Sequence, residues 1–195
     1  MGLVRRNAEP EPQTMGPGDL LAQLDDPDPD RRREAALGLE AESAVEVLLD
    51  RVATEDEPRV RDAMLTTLAA HDTDAVAAGL AVHLASDDAG LRTGVAEALA
   101  SMPESVPAII PRLLEDPDHD VRVMAAMVLA DLQHPEATTW LTVMIKDDPH
   151  PNVVASAIDA LLPSLGPEHT ELLERAVRRF PDDPFLRFTV EAALR

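Results

Sequence analysis

The side chains that most often catalyse reactions or bind metals are spread thinly along this chain of 195 residues. Two histidines three or four positions apart would share a helix face and could form one edge of a metal site. No two histidines here have that spacing, and the chain has no cysteine. Disulfides and thiolate sites are therefore excluded, and we predict no metal and no cofactor. The histidines are His71, His83, His119, His134, His150 and His169.

Serine, threonine and glycine show no catalytic arrangement either. An activated hydroxyl needs a partnered base, and no serine or threonine stands at a signature spacing from a histidine and an aspartate. The eight glycines form no phosphate-binding loop. Carboxylates are so numerous that the sequence does not single out a catalytic pair. We therefore expect a protein that is not an enzyme.

The net charge limits the kind of partner. The chain carries 37 acidic and 17 basic residues, for a formal charge of −20. A field of that sign repels phosphate backbones and attracts positively charged surfaces. The charge predicts a protein partner with a basic rim, and no nucleic-acid partner.

The beginning of the chain differs from the rest in composition. Residues 1–17 include Glu-Pro-Glu-Pro and have few apolar side chains, which predicts a disordered N-terminal tail. This segment has no apolar core of a secretory signal. No stretch approaches the roughly 18 apolar residues of a membrane span. We expect a cytoplasmic protein with no membrane partner.

A nine-residue sequence motif that recurs about every thirty residues predicts the architecture of the chain. Each copy runs from an apolar anchor to a leucine eight positions later, and the first copy is weaker because an arginine replaces the anchor. A regular period of this size is typical of a solenoid, in which each unit stacks on its neighbours. The copies are Arg31–Leu39, Val60–Leu68, Leu91–Leu99, Val121–Leu129, Val153–Leu161 and Leu186–Leu194.

Each repeat reads as two antiparallel helices joined by an acidic turn. In the first helices apolar residues recur at helical spacing, as Val45, Leu48, Leu49 and Val52 do. Aspartates in the turns suit the N-terminus of the second helix, where they cap free N–H groups and meet the positive end of the helix dipole. A row of calcium loops is the alternative for these turns, but they lack the alternating ligands and glycine that such loops need. The predicted first helices are 19–24, 44–53, 74–85, 106–114, 138–145 and 170–179.

The pattern Asp-Pro-x-x-x-Val-Arg-x-x-Ala-Ala-x-x-Leu, clearest at residues 116–129, resembles a HEAT repeat of the short bacterial and archaeal kind. That subset includes subunits of phycobilin lyases. The resemblance covers residues 18–195 and implies an all-α, right-handed α-solenoid of about six two-helix repeats. HEAT-type hydroxylases with two irons use repeated His-Glu dipeptides, whereas this chain has only the reversed Glu168-His169.

The resemblance also implies a ladder of hydrogen bonds between repeats, made by loop aspartates and helix arginines. The pattern lacks the arginine at Val154 and the loop acid at Ser86, so we expect the ladder to be weakest there. The implied ladder residues are Asp26, Asp116, Asp148, Arg32, Arg61, Arg92, Arg122 and Arg187.

A candidate binding face lies on the second helices, which line the concave side of a HEAT-type stack. Counted from the anchor, offsets 0, +4 and +8 should point into the core, and offsets +2, +3 and +6 into the concavity. Most residues at the latter offsets are small or polar, but Val123, Met124 and Met127 are apolar. An exposed apolar patch usually marks an interaction site, and methionine adapts to varied partners. We predict an anchor for a partner helix or peptide there; burial of these methionines by a tightly curved stack is the alternative. The predicted acidic and polar rim is Asp62, Thr93, Glu97 and Asp159.

Three functions remain open from the sequence. The leading prediction is a non-enzymatic scaffold, adaptor or assembly factor that binds a partner protein on its concave face. The family resemblance permits a subunit of a chromophore or cofactor lyase instead. A nucleic-acid-binding helical-repeat protein would need a basic concave face, where the predicted positions supply only Arg33. Apolar residues in the last helix, including Phe185 and Phe188, suggest a monomer capped by Phe188 or a weak homodimer through the C-terminal repeat.

Overall fold

A computed structural model describes residues 15–40 and 42–195, and within them the chain is an α-solenoid of six two-helix units. The first helices of the units are α1 (Pro17–Gln23), α3 (Val45–Val52), α5 (Asp74–Ala81), α7 (Val106–Leu114), α9 (Ala137–Asp147) and α11 (Thr170–Arg179). The second helices are α2 (Pro29–Gly38), α4 (Pro58–His71), α6 (Ala89–Ala100), α8 (His119–Asp131), α10 (Pro151–Leu161) and α12 (Pro184–Ala193).

The helix boundaries follow the sequence pattern closely. The helices predicted at 106–114 and 170–179 have those bounds in the structure, and the segment predicted at 74–85 is α5 continued by the 3-10 helix Val82–Ala85. The predicted disordered tail lies outside the described residues up to position 14, and α1 already begins at Pro17.

Most second helices start for one of two local reasons. The residue three positions before the anchor is the N-cap, and in four units it is an aspartate whose carboxylate accepts backbone N–H groups of the first turn: Asp28, Asp88, Asp118 and Asp183. Proline occupies the first helical position in α2, α4, α10 and α12, where its fixed φ fits and no N–H is needed. The acidic turns therefore act as helix starts, as predicted.

The anchors form a continuous buried spine. In the four central units offsets 0, +4 and +8 are all buried, as in Val60, Met64 and Leu68 of α4. The prediction fails at the two ends, where Arg31 and Leu194 are exposed because only one neighbouring unit covers them. Burying such apolar surface stabilises by about 25 cal/mol per Å², and this spine joins all six units.

The first helices form the outer layer of the solenoid, and the second helices form the inner layer, which is packed more closely. Each second helix packs along the next one from α2 to α12, and these backbones approach over longer stretches than those of the first helices do. That is the arrangement of the inner side of a curved stack. Gly94 of α6 contributes, because a Cβ there would lie only 2.8 Å from a methyl carbon of Leu65 in α4. Small side chains thus bring the inner helices together.

An arginine-and-carbonyl motif fixes each turn. In five units the arginine that follows the anchor position donates to the backbone carbonyl six residues earlier; Arg122 Nη1, for example, lies 2.8 Å from the carbonyl oxygen of Asp116. The side chain of that earlier residue accepts the N–H two positions later in five units, as Asp116 does from Asp118 at 2.9 Å. The motif closes the turn within one unit.

Arginines pair with acids of the next unit at three junctions, and of the predicted acids only Asp148 takes part. Arg122 donates from Nε and Nη2 to both carboxylate oxygens of Asp148 in the next unit, at 2.7 and 3.1 Å. Arg32 makes the same forked contact with Glu55, at 2.9 and 2.8 Å. Arg61 reaches Asp88 at 2.9 Å, because Ser86 supplies no carboxylate there. The ladder acids are thus Glu55, Asp88 and Asp148.

The prediction for Asp26 and Asp116 was wrong. Asp26 lies in the first unit, so within the described residues no preceding unit supplies an arginine to it, and it pairs with Arg31 of its own unit at 3.3 Å. Asp116 receives no contact from Arg92, whose described hydrogen bond goes to the carbonyl of Ser86. Within the described residues the side chain of Arg187 likewise bonds the carbonyl of Pro181 alone. These two arginines close their own turns without linking units.

In the unit that has Val154 in place of the arginine, an arginine of the next unit makes the missing hydrogen bond. Arg179, at the end of α11, donates to the carbonyls of Ile145 and Asp148, the former at 2.9 Å. The carbonyl of Asp148 is the one that an arginine at position 154 would bond, six residues earlier. The substitution is therefore compensated by a longer-range arginine.

Candidate functional site

The inner face of the second helices keeps two rows of side chains largely exposed. Along α2 to α12 every residue at offset +6 is exposed, and so are four of the six at offset +2. Val123 is half-buried and Ala155 is buried at that offset. The exposed offset +6 residues are Leu37, Thr66, Glu97, Met127, Asp159 and Ala192.

Offset +3 does not face the concavity, and the prediction for Met124 was wrong. Met124 is only 7% exposed, and Ala63 and Thr189 at the same offset are also buried. Three residues are slightly less than one turn of 3.6 residues, so offset +3 lies close to the anchor's own side and packs between neighbouring inner helices. Of the three predicted apolar residues, Met127 is exposed at 43% and Val123 is half-buried.

Two residues of the predicted rim line one groove. Asp62 of α4 and Glu97 of α6 flank a groove of about 420 Å³ between these helices. Leu65 forms part of its floor, and Gly94 keeps it open because no side chain rises there. Thr93 is exposed on the same helix as Glu97. The groove is apolar at its floor and acidic at its sides.

A second hollow extends this groove. About 390 Å³ lies between the ends of α6 and α8, lined by Glu97 and Ser101, which it shares with the first groove, and by Asp131 and Gln133. No basic side chain lines either hollow. Within the described residues no ion pair involves Asp62, Glu97 or Asp131. Sequence reasoning missed Asp131, although it follows Met127 by four positions and so lies on the same helix face.

Asp159 lies further along the inner face, on α10. Neighbouring groups partly remove its carboxyl group from water, and this burial raises the pKa of Asp159 above its ordinary value. A carboxylate in that position gains more from a positive partner than one in open water, because the partner offsets a desolvation cost already present. The structure does not place Asp159 among the residues that line the α4–α6 groove.

The chemistry-bearing side chains are not brought together. Among residues 15–40 and 42–195 no cluster of three or more histidine, aspartate or glutamate side chains could hold a metal ion. His119 and His150 stack with ring centroids 3.9 Å apart, and His134 stacks on Trp140 at 5.1 Å. His83 is half-buried in the outer layer, and burial lowers its pKa. These contacts have packing roles.

Comparison with known proteins agrees with this geometry. A family model described as HEAT repeats matches residues 18–100 and 106–195. The chain belongs to the HEAT-repeat family. Members of this family generally act without catalysis of their own and mediate interactions between proteins. Among curated proteins, none matches this chain.

Several solved structures share the helical-repeat form. The complex of CpcE and CpcF of phycocyanin lyase from Nostoc sp. PCC7120 has 21% identity and a TM-score of 0.49, covering 100% of this chain and 81% of that one. Human deoxyhypusine hydroxylase in complex with glycerol has 17% identity and a TM-score of 0.41, covering 91% and 83%. An engineered protein has 20% identity and a TM-score of 0.42, covering 92% and 98%. At these values the likeness says nothing about activity.

Hydropathy adds one observation. In the described ranges no helix has both the length and the apolar composition needed to cross a lipid bilayer.

Proposed function

We propose that this HEAT-repeat protein is a non-enzymatic scaffold that binds a partner protein on its inner face. The bound segment of the partner carries basic side chains around an apolar residue. The observation that supports this proposal most strongly is the acid-lined groove between α4 and α6, with Asp62 and Glu97 on its sides and Leu65 in its floor.

The charge distribution favours a basic partner. The two hollows have three carboxylates and no basic residue in their lining, and the whole chain carries −20. Such a field accelerates the approach of positive segments and rejects negative ones. Lysine and arginine stems can also cover the apolar floor while their charged ends reach the carboxylates.

The apolar contact on this face would come from Met127. Its side chain is 43% exposed on α8, four positions before Asp131. Val123 lies one turn earlier and is half-buried, so the two form a small apolar step beside the acidic hollow. A single aliphatic or aromatic residue of the partner would fit this step, with its basic neighbours directed to Glu97 and Asp131.

Charge-neutral variants test this assignment. Wild-type protein is immobilised, the proteins that it retains from a cell extract are identified by mass spectrometry, and their binding to wild type is compared with their binding to Asp62→Asn/Glu97→Gln. Asp56→Asn/Asp87→Asn removes the same charge from two exposed turn residues and is the matched control. Peptides of the retained partner are then titrated by fluorescence anisotropy.

We expect about a tenfold weaker affinity for the groove variant, because two charge contacts at about 0.2–1 kcal/mol each are lost. The control should bind like wild type. Equal binding by the groove variant and wild type would refute the inner face as the binding site.

The second part of the test concerns Met127. Met127→Asp should abolish the apolar contact, whereas Val82→Asp places the same charge on an exposed residue of the outer layer. Retained binding by Met127→Asp would show that the apolar step takes no part.

We also propose a weak homodimer through the last unit. Phe188 does not fold back as a cap: its side chain is 63% exposed, and that of Phe185 is 59% exposed. Exposed aromatic rings favour association because each buries a large apolar area. Light scattering should show a dimer at high concentration that Phe185→Ser/Phe188→Ser converts to a monomer; a monomeric wild type at every concentration would exclude it.

A further inference from the structure

Basic side chains gather at one place on the outer layer of this acidic protein. A cleft of about 250 Å³ lies between α9 and α11, and four of its seven lining residues are basic: Lys146, Arg175, Arg178 and Arg179. The chain has 17 basic residues in total, and Lys146 is its only lysine. About a quarter of the positive charge thus lines one small cleft, on the opposite layer from the acidic groove.

The cleft is formed by a specific contact. Arg179 lies across the end of α9 and donates to the carbonyls of Ile145, Lys146 and Asp148. These carbonyls are the negative end of the helix dipole, so Arg179 is held by structure and joins α11 to α9. Arg175, four positions earlier, lies on the same face of α11. The contact therefore positions the other basic residues around the cleft.

The remaining three basic side chains are available for a ligand. Within the described residues no hydrogen bond or ion pair involves the side chain of Arg175. Arg178 meets only the exposed Glu174, at 3.5 Å, and Lys146 meets only the exposed Asp147, at 3.8 Å. Exposed pairs of this kind contribute little and exchange readily with other anions. By contrast, the arginines of the inter-unit ladder are tied to carboxylates of the next unit.

The floor of the cleft is apolar. Ile145 and Ala176 are buried and Leu172 is half-buried, while the positive groups stand at the rim. An apolar floor beside cations fits a segment in which acidic and aliphatic residues alternate or lie side by side. The cations would pair with its carboxylates, and the floor would cover its aliphatic side chain.

We propose that this cleft binds a short acidic peptide segment of another protein. A long polyanion such as nucleic acid is disfavoured, because it would extend over a surface with a charge of −20. A short segment stays within roughly one Debye length of 8–10 Å of the cleft and meets mainly its cations. The protein then has two docking sites of opposite charge, one on each layer, and can bring a basic and an acidic partner together.

The test uses a fluorescein-labelled hexapeptide of alternating glutamate and leucine, titrated with the full chain by anisotropy at low and at physiological salt. Arg175→Gln/Arg178→Gln is compared with Arg59→Gln/Arg112→Gln, which neutralises two exposed arginines elsewhere. All four positions are exposed, and circular dichroism verifies that each variant folds. We expect about tenfold weaker binding for the cleft variant, two screened charge contacts being lost. The control should bind like wild type, and added salt should weaken the wild-type complex.

Three results would overturn the proposal. The control variant could lose as much affinity as the cleft variant, or a lysine–leucine hexapeptide could bind the cleft equally well. Pyrophosphate could displace the labelled peptide at a lower concentration than unlabelled peptide does, which would indicate that the cleft binds phosphate instead. Binding at the acidic inner groove is measured with a basic peptide, so failure here leaves the proposed function separately testable.

Discussion

The contact between Arg122 and Asp148 should be the strongest single link between units, and its removal gives a quantitative prediction. Arg122 is 8% exposed and Asp148 is 9% exposed, and two hydrogen bonds at 2.7 and 3.1 Å join them. Asp148→Asn keeps the shape and the turn contact to the N–H of His150 but leaves the guanidinium without its counter-charge.

Breaking a buried ion pair by removing one partner costs about 3–5 kcal/mol. Arg122 keeps its bond to the carbonyl of Asp116 at 2.8 Å, which lowers the cost. We therefore expect a loss of about 2–4 kcal/mol in the free energy of unfolding. For a chain of this size each kcal/mol corresponds to roughly 2–4 °C, so Tm should fall by about 5–15 °C.

The matched control is Asp116→Asn. Asp116 occupies the same position of its turn and accepts the same N–H two residues later, but no arginine of the preceding unit reaches it. Calorimetry and urea unfolding should show a cost below about 1 kcal/mol for the control, because a single turn hydrogen bond is worth about that much. In the double variant Arg122→Met/Asp148→Asn the cost should be smaller than the sum of the two single changes. Equal losses for the two asparagine variants would refute the ladder as a stabilising device.

Four further expectations follow from other contacts in the structure. Arg32 lowers the pKa of Glu55 through its side-chain hydrogen bonds. The stability that this pair contributes should therefore be complete above the ordinary glutamate pKa of about 4.3 and be lost as the pH falls through the lower pKa of the folded state. Acid unfolding of Glu55→Gln should lack this pH-dependent component. Burial lowers the pKa of His83, so stability should decline as pH falls below about 6.5, and His83→Gln should flatten that slope in thermal melts. Arg179→Met should cost about 1–3 kcal/mol by leaving the carbonyls of Ile145 and Asp148 unpaired, and Val154→Arg should recover part of that loss in urea unfolding. Asp72→Ala should lower the free energy of unfolding by about 1–3 kcal/mol, as measured by calorimetry. The carboxylate of Asp72 accepts from the N–H groups of Glu104 and Ser105 at 3.0 and 3.1 Å, and its φ is positive, at 38°, which alanine disfavours.

The repeat pattern predicted the helices well because each boundary has a local cause. Five of the six second helices have an acidic N-cap three residues before the anchor and four have a proline directly after the N-cap, and both features can be read in the sequence. The apolar anchors then bury themselves wherever neighbouring units exist on both sides. The prediction that anchor positions are buried fails for Arg31 and Leu194, because they lie in the first and last units of the stack.

The side on which a residue lies was harder to predict. Met124 was assigned to the concave face by treating the second helix as buried on one side only. In the stack each inner helix contacts its own partner helix and also the inner helices before and after it, so only offsets near +2 and +6 remain free. The sequence period contains no direct signal for these lateral contacts. The small residues Gly94 and Ala63 are an indirect sign of them, because they lie where neighbouring inner helices pack together.

The ladder shows how a substitution in one repeat can be compensated by another. Ser86 lacks a carboxylate, and Arg61 pairs instead with Asp88, the N-cap two residues later. Val154 lacks a guanidinium, and Arg179 arrives from the following unit to bond the same carbonyl. In both places the unpaired group would have been buried and costly, so the contact is preserved although the residue that makes it changes. Arg179 also lines the basic cleft between α9 and α11, so the residue that completes one repeat takes part in a cationic surface as well. A family pattern that is broken at one position is therefore a guide to where a solenoid has acquired a feature of its own.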